Sequence, residues 1–273
     1  MTRALTALLV ALLIGLAVPR AAGQPERSVY LLVDYMKVPE GGGEAYLAME
    51  REIWKPIHQE RMRRGLMTNW SVYEVRYTTP DAPYGYVTLN VFDSFEHMET
   101  SLTEEVIRAA HPEADIDALT ARTMAARELV HAEVWQLVET ALPSTDPGPP
   151  GRYLVVNFMD APAGATDEYL AAESDIWKPI HQGRIDSGLM SGWALYGLLL
   201  PRGEAMHYNF GTVDFFDDPE DVVGAVDAAA IRAGHPEVSE ADIEAMMART
   251  EAARSIFKSD LWVLVDTAAD GSE

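Results

Sequence analysis

The sequence predicts an α+β fold in which two tandem copies of one β-α-β-β-α-β unit close into a single barrel. Three observations support this prediction: an internal repeat, the order of elements within each copy, and a proline-rich segment between the copies. The heptapeptide Ile53-Trp-Lys-Pro-Ile-His-Gln59 recurs unchanged at residues 176–182. Because chance does not produce such a match in 273 residues, the repeat is the first guide to the architecture.

Matched residues continue through both copies, at an offset that grows from 123 to 127 residues. The matches include all six tryptophans, which fall into three pairs: Trp54 with Trp177, Trp70 with Trp193, and Trp135 with Trp262. The proline-rich residues 143–151 have the composition of a linker. We therefore expect one unit over residues 28–142, a second over 152–268, and a short tail over 269–273.

Apolar periodicity and turn residues give the element order of each copy. Gly65 and Asp115 mark a helix end and a helix start in the first copy. There we expect strands over 29–37, 68–78, 84–93 and 130–139, and helical segments over 44–64, 94–110 and 114–129. In the second copy we expect strands over 153–158, 192–200, 207–216 and 261–266, and helices over 167–187 and 241–255.

This element order is the split βαβ arrangement of a ferredoxin-like unit, whose sheet carries helices on one face only. Two such units can cover each other's open faces and form one intramolecular α/β barrel with the helices outside. The chain thus resembles the dimeric α/β-barrel superfamily, which includes stress-response barrel, NIPSNAP-like and antibiotic-biosynthesis monooxygenase proteins. The resemblance implies an inner cavity and uses as different as cofactor-free oxygenation, isomerisation, haem chemistry and simple binding, so it selects no activity.

The N-terminal residues 1–23 have the features of a signal peptide. Arg3 supplies positive charge, an unbroken apolar run covers residues 4–18, and Ala21-Ala22-Gly23 offers a cleavage site. The run is shorter than the roughly 20 residues of a membrane span, so we expect export to the periplasm or medium and no stable span after cleavage. An uncleaved anchor is the alternative.

Composition excludes several classes of function. A net charge of −22 disfavours nucleic acid and anionic lipid as partners, because both require a basic surface. The absence of cysteine excludes disulfides, thiol nucleophiles and iron–sulfur clusters. Oligomerisation into a homo-oligomer remains open.

The first helix of each copy carries the strongest local pattern. Residues four apart form one stripe: Tyr46, Glu50, Trp54 and His58 in the first copy, and Tyr169, Glu173, Trp177 and His181 in the second. Prolines at 56 and 179 predict a kink one turn before each histidine. His58 and His181 are candidate general bases or haem or metal ligands; alternatively, they are satisfied polar groups packed beside tryptophan.

Further candidates lie on other elements. His111 and His235 precede the second main helix, where they either order a loop or line the barrel mouth, and a two-histidine metal site would require them to converge with the first-helix histidines. Trp70 and Trp193 are candidate ligand contacts, as are His111, His235 and the tyrosines, glutamates and tryptophans of the first-helix stripe. Each of the two strand tryptophans lies three residues from a tyrosine on the same strand. Because side chains three apart point to opposite faces, only one of each pair can face the cavity.

The second helix of each copy carries two arginines that recur between the copies: Arg122 and Arg127, and Arg249 and Arg254. They are interpreted first as surface or helix-to-loop ion pairs. An inward arginine that holds a carboxylate substrate is the alternative.

The sequence contains no glycine-rich phosphate loop, nucleophile elbow or H-E-x-x-H helix, so no motif indicates a cofactor or assigns a metal ligand. Binding of a small apolar or aromatic molecule in the barrel is the favoured hypothesis. A cofactor-independent oxygenase or isomerase that uses His58 or His181, and a haem or divalent-metal protein, are the alternatives. Whether the protein is an enzyme is left undecided.

Overall fold

The computed structural model of the protein describes residues 28–79, 81–143, 151–203, 205–224 and 226–269. The predicted signal peptide and most of the predicted linker lie outside the described residues. Among the described helices, none combines the length and apolar character that a bilayer crossing requires.

Eight described strands close into one antiparallel barrel, in the order β1-β3-β2-β8-β5-β7-β6-β4. Their bounds are β1 Tyr30–Lys37, β2 Asn69–Arg76, β3 Tyr86–Phe92, β4 Glu128–Ala141, β5 Tyr153–Asp160, β6 Gly192–Leu200, β7 Phe210–Phe216 and β8 Ser255–Ala269. The four strands of each half of the chain are neighbours, and the pairs β2–β8 and β4–β6 join the halves. The predicted single closed barrel is therefore confirmed.

Helices connect the strands on the outside of the barrel. In the first half they are α1 Gly43–Met49, α2 Lys55–Arg63, α3 Phe95–Thr100, α4 Glu104–Ala110 and α5 Ile116–Ala126. In the second half they are α6 Thr166–Ala172, α7 Lys178–Asp186, α8 Pro219–Val222, α9 Ala228–Gly234 and α10 Glu240–Ala253. The helical segment expected over 94–110 is divided into α3 and α4, and α8 and α9 lie between β7 and α10, where no helix is predicted.

The predicted helix ends are present. The Asp115 side chain accepts a hydrogen bond from the backbone N–H of Asp117, as an N-cap does. Gly65 and Gly188 follow the ends of α2 and α7 with φ of +69° and +76°, a left-handed conformation that favours glycine.

In the first helix of each half, where the sequence predicts a kink at the proline, the structure has a wider helical turn just before it. A π-helical turn, Glu50–Trp54 or Glu173–Trp177, joins α1 to α2 and α6 to α7. The N–H of Lys55 bonds to the carbonyl of Glu50, five residues back. Pro56 then falls in the first turn of α2, where its missing N–H costs little.

Alternation along the strands separates an inner core from an outer one. Leu31, Val33 and Tyr35 point into the barrel with the core that contains Trp135 and Trp262. The outer layer lies between strands and helices, in clusters that contain Trp70 in the first half and Trp193 in the second. A candidate site can therefore lie inside the barrel or beneath the helices.

Candidate functional site

The barrel encloses a cavity of about 210 Å³ to which all eight strands contribute. Its walls are predominantly apolar and aromatic, with polar side chains at Asn69 and Ser71. Representative lining residues are Leu31, Val33, Tyr73, Trp135, Val156, Phe158, Tyr196, Val213 and Trp262. A concave, mostly apolar space with few polar groups is the usual character of a small-molecule site.

A buried carboxylate lies beside one end of this cavity. Glu133 is 0% exposed and accepts hydrogen bonds from the Tyr35 hydroxyl at 2.7 Å, from Trp135 Nε1 at 3.0 Å, and from the Tyr208 hydroxyl. His131 Nε2 lies 3.7 Å from its Oε1. Burial opposes ionisation, but these surrounding donors outweigh burial and hold the pKa of Glu133 below its ordinary value.

The second half repeats this arrangement with different side chains. Asp260, at the position of Glu133, accepts from Lys258 Nζ at 2.7 Å and from the Tyr84 hydroxyl at 3.2 Å. Lys258 Nζ also lies 4.2 Å from the centre of the Phe158 ring, a cation–π distance. Since Tyr208 bonds Glu133 while Tyr84 bonds Asp260, each half supplies the hydroxyl for the other half's carboxylate.

The sequence analysis identifies Trp135 and Trp262 as repeats but not the charged residues beside them. The available signal is the alternation on the last strand of each half, where His131, Glu133 and Trp135 match Lys258, Asp260 and Trp262. Charged residues that alternate into a buried face are uncommon unless they are paired, so this pattern could have identified the barrel-end cluster.

The predicted first-helix residues lie outside the barrel. His58 stacks between Trp54 and Trp70, with ring centroids 5.7 and 5.6 Å away. His181 stacks in the same way, 5.9 Å from Trp177 and 5.5 Å from Trp193. The expectation that these histidines act within the barrel cavity is therefore not met: they belong to the layer between helices and strands.

Trp70 and Trp193 are likewise placed on the outer face, where both are fully buried. Their neighbours Tyr73 and Tyr196 line the cavity instead. The predicted opposition of the two side chains is present: the tyrosines face the cavity, and the tryptophans pack in the layer between strands and helices.

Both stacked histidines are neutral at physiological pH. Burial, reinforced by the nearby Arg184, lowers the pKa of His181 to about 3. Burial and Arg61 likewise hold the pKa of His58 well below its ordinary value. Because the Arg61 guanidinium, 3.2 Å from His58 Nδ1, can only donate, Nδ1 is an acceptor and Nε2 carries the proton.

Tyr46, Glu50 and Arg127 form a buried group beneath the first helix, and Tyr169, Glu173 and Arg254 repeat it. Arg127 Nε lies 3.6 Å from Glu50 Oε1, and Arg254 Nε lies 3.8 Å from Glu173 Oε1. Burial raises the pKa of both glutamates to about 7, although the arginines oppose this shift. Arg127 and Arg254 point inward, as in the alternative interpretation of these arginines. Arg122 and Arg249 form the predicted surface ion pairs.

His111 and His235 do not converge with the first-helix histidines. His111 Nε2 lies 2.9 Å from the Ile53 carbonyl, and His235 Nε2 lies 2.9 Å from the Ile176 carbonyl. Since a carbonyl only accepts, each ring donates and ties its loop to a π-helical turn. Within the described residues, no group of three His, Asp or Glu side chains is arranged to hold a metal ion.

Comparison with known proteins supports the fold alone. No protein-family model and no curated protein matches the chain. An anthrone oxidase-like protein is 14% identical with a TM-score of 0.50, over 91% of this chain and 95% of that one. A candidate monooxygenase from Fusobacterium nucleatum is 8% identical with a TM-score of 0.52, over 90% and 96%. These structures have the dimeric α/β-barrel fold, so the resemblance predicted from the sequence is confirmed as a fold.

A candidate chlorite dismutase also matches, at 13% identity and a TM-score of 0.46, over 88% of this chain and 95% of that one. Haem, one of the alternatives that the sequence leaves open, does not fit the barrel cavity. At about 210 Å³ it is only somewhat larger than a cavity of roughly 150 Å³ that holds benzene.

Proposed function

We propose that this chain is an exported binding protein whose barrel receives a small apolar or aromatic molecule. The observation that carries the proposal is the barrel cavity, which all eight strands line with predominantly apolar and aromatic side chains. Burial of apolar ligand surface against such walls stabilises a complex by about 25 cal/mol per Å².

Cavity size limits the ligand class. An apolar cavity of roughly 150 Å³ accepts benzene, and this one measures about 210 Å³. A single substituted aromatic ring, or a compact alkyl group of similar size, is the expected occupant. Larger polycyclic molecules would require the walls to move.

The ring geometry of the walls favours an aromatic ligand over an alkyl one. Trp135 meets Phe158 edge-on at 6.3 Å, and Tyr35 meets Trp262 edge-on at 6.2 Å. Edge-to-face pairs contribute about 0.5–1.5 kcal/mol beyond area burial. A ligand ring between these walls would extend the same pattern.

The tandem arrangement is part of the proposal. The strand order β4-β1-β3-β2 and its counterpart β8-β5-β7-β6 fit two ferredoxin-like units fused through β2–β8 and β4–β6, with the cavity at their junction. Export rests on residues 1–23. N-terminal sequencing of the protein recovered from the periplasm or medium would support it by finding a start near residue 23 or 24.

Calorimetric titration with toluene and ethylbenzene tests the binding proposal. We expect saturable binding that weakens at least tenfold in Val213→Phe, because the new ring occupies the cavity that Val213 lines. Val223→Phe is the matched control, since Val223 is 81% exposed. Absence of binding in a folded protein, or equal binding by Val213→Phe, would overturn the proposal.

The histidine-dependent alternative is tested in the same titration. Because His58 and His181 lie on the outer face of the barrel, we expect His58→Gln with His181→Gln to bind ligand as the unmodified protein does, provided that circular dichroism shows both to be folded. Loss of binding in the folded double variant would instead favour the histidine-dependent reading.

A further inference from the structure

Two tyrosines at matched positions of the repeat enter the cavity from opposite walls. Tyr73 lies on β2 and Tyr196 on β6, and both side chains line the cavity. In the closed strand order, three strands separate β2 from β6 in either direction, so the two strands face each other across the barrel. Tyr196 is close enough to Tyr73 that a negative charge on it would raise the pKa of Tyr73. The two phenol groups therefore converge within the barrel.

Both tyrosine hydroxyls are open to the cavity. In the layer outside the barrel, the hydroxyls of Tyr46 and Tyr169 are sealed from solvent and have no hydrogen-bond partner among the described residues. The hydroxyls of Tyr73 and Tyr196 do not belong to this sealed set, and the space beside them is the cavity that both residues line. A molecule in the cavity can therefore reach them.

Neither hydroxyl spends its proton on a described residue. Burial is the whole cause of the raised pKa of Tyr196, with no contribution from a hydrogen bond. Ser71 lies near Tyr73 and lowers its pKa, which a serine does by donating to the phenol oxygen, so the O–H of Tyr73 stays free. The Ser71 oxygen itself lies 2.9 Å from Asn69 Oδ1 and 2.9 Å from Thr267 Oγ1.

The two phenols are hydrogen-bond donors in an otherwise apolar space. Burial raises the pKa of both, so both keep their protons at neutral pH. The described cavity wall contains no charged side chain. Polar groups inside a protein are nearly always paired, and a few such groups in an apolar pocket fix the orientation of its ligand.

We infer that the hydroxyls of Tyr73 and Tyr196 donate hydrogen bonds to one carbonyl oxygen of the ligand. A carbonyl oxygen has two lone pairs and can accept from both donors. This inference rests on the proposed cavity function and narrows its ligand class to a small, uncharged aromatic ketone or aldehyde. A carboxylate is disfavoured, because no cationic side chain in the described wall would balance its charge.

A pair of near-isosteric ligands tests the inference: acetophenone carries the carbonyl oxygen, and α-methylstyrene has a methylene group in its place. Calorimetric titration gives the dissociation constant of each ligand. The readout is the preference for acetophenone, expressed as the ratio of the two constants and compared between variants. The different hydration of the two ligands cancels in this comparison, because the same two ligands are used throughout.

Phenylalanine variants remove each hydroxyl and keep the ring. Tyr73→Phe and Tyr196→Phe should each lower the preference by about two- to tenfold, as the loss of one buried hydrogen bond does, and the double variant should lower it further. Tyr169→Phe is the matched control, since its hydroxyl is buried outside the barrel, and it should keep the preference. Circular dichroism checks that each variant is folded.

The carbonyl stretching band of bound acetophenone gives a second readout that does not depend on affinity. Hydrogen bonds weaken the carbonyl bond, so the band should lie at lower frequency in the unmodified protein than in hexane. Each single variant should reverse this shift in part, and the double variant should reverse it most. Infrared difference spectra of ¹²C- and ¹³C-labelled acetophenone separate the band from protein absorption.

The outcomes are distinct. If both single variants keep the preference and the infrared shift, or if only one of them loses these, the paired site is overturned while cavity binding stands. If neither ligand binds the folded unmodified protein, the proposed function fails together with the inference.

Discussion

At the scale of single residues, the barrel end shows how one methylene group redistributes hydrogen bonds. Glu133 reaches the indole of its own strand, whereas Asp260 is bonded to Lys258 and Tyr84 instead. Glu133 is fully buried and depends on its donors, because a buried charge without hydrogen bonds is strongly destabilising. Asp260 is partly exposed and depends on them less.

Replacing Glu133 tests that difference. Glu133→Gln should lower the free energy of unfolding by about 2–4 kcal/mol, since an amide cannot accept from all the surrounding donors at once. Asp260→Asn should cost less than about 1.5 kcal/mol, because water can replace part of its hydrogen bonding. Urea unfolding followed by circular dichroism measures both, and equal losses would contradict the contrast.

A second residue-level feature is a reciprocal exchange between the halves. Asn90 Nδ2 donates to Asp34 at 3.0 Å, and Asn157 Nδ2 donates to Asp214 at 3.5 Å. The first half has the aspartate on β1 and the asparagine on β3, whereas the second half has the asparagine on β5 and the aspartate on β7. Each half therefore keeps one aspartate paired with one asparagine. A comparison of single matched positions misses this similarity, because the Asp–Asn pair is retained while the residue at each position changes.

The buried glutamates predict a pH dependence of stability. Burial raises the pKa of Glu50 and Glu173 to about 7, so both bind protons more tightly in the folded state. Their contribution is complete below the ordinary pKa near 4.5 and is lost as pH rises through 7. Each site should lose up to about 3 kcal/mol between pH 4.5 and 8.

The lowered pKa values of the two histidines make stability rise with pH up to about 6.5, opposite to the effect of the glutamates. Comparison with glutamate variants separates the two effects. The unmodified protein should lose more stability than Glu50→Gln with Glu173→Gln between pH 5 and 8, as thermal or urea unfolding would show. Glu60→Gln is the control, since arginine neighbours lower the pKa of Glu60 to about 2 and it titrates below this window. A constant difference between protein and double variant would contradict the assignment.

At the scale of elements, the sequence predicts the positions of strands and helix caps. It predicts less well the geometry inside a helix and which face of a strand points into the barrel. Asp115 and Gly65 act as predicted, because capping depends on a residue and its immediate neighbours. Proline at 56 signals an irregular helix but does not distinguish a kink from a π-helical turn. Trp70 and Tyr73 were known to face opposite ways, yet which one faces inward depends on packing against a helix that a pattern does not place.

The close approach of α9 to α7 makes a sharp element-level prediction. A Cβ added at Gly234 would lie 2.6 Å from the Ile180 backbone nitrogen, so Gly234→Ala should cost more than about 2 kcal/mol. Gly183→Ala, on the facing helix, meets its nearest atom at 3.4 Å and should be neutral or stabilising by helix propensity. Chemical unfolding of both variants checks this, and a harmless Gly234→Ala would contradict the packing.

At the scale of the whole molecule, the closed barrel was predictable because an open sheet face must be covered, and the internal repeat indicated a second half of the chain that could cover it. The position of the site was less predictable. The strongest repeated pattern, the stripe from Tyr46 to His58, belongs to the helix–strand layer, and the cavity is lined by residues of the strands instead.

Because strand pairs β2–β8 and β4–β6 join the two halves, we expect that neither half folds alone as a stable monomer. Residues 28–143 would expose the apolar inner face that the second half covers, together with the free edges of β2 and β4. We expect this fragment to dimerise or aggregate, as light scattering after size-exclusion chromatography would detect. A folded monomeric half would contradict the interlocked barrel.

The indole resonances of the six tryptophans, observed by NMR in ¹⁵N-labelled protein, test the central claim most directly. Trp135 and Trp262 line the cavity, whereas the other four tryptophans lie between strands and helices on its outside. Titration with toluene should shift the resonances of Trp135 and Trp262. A shift confined to the outer four, or no shift at saturating ligand, would contradict a ligand-binding barrel.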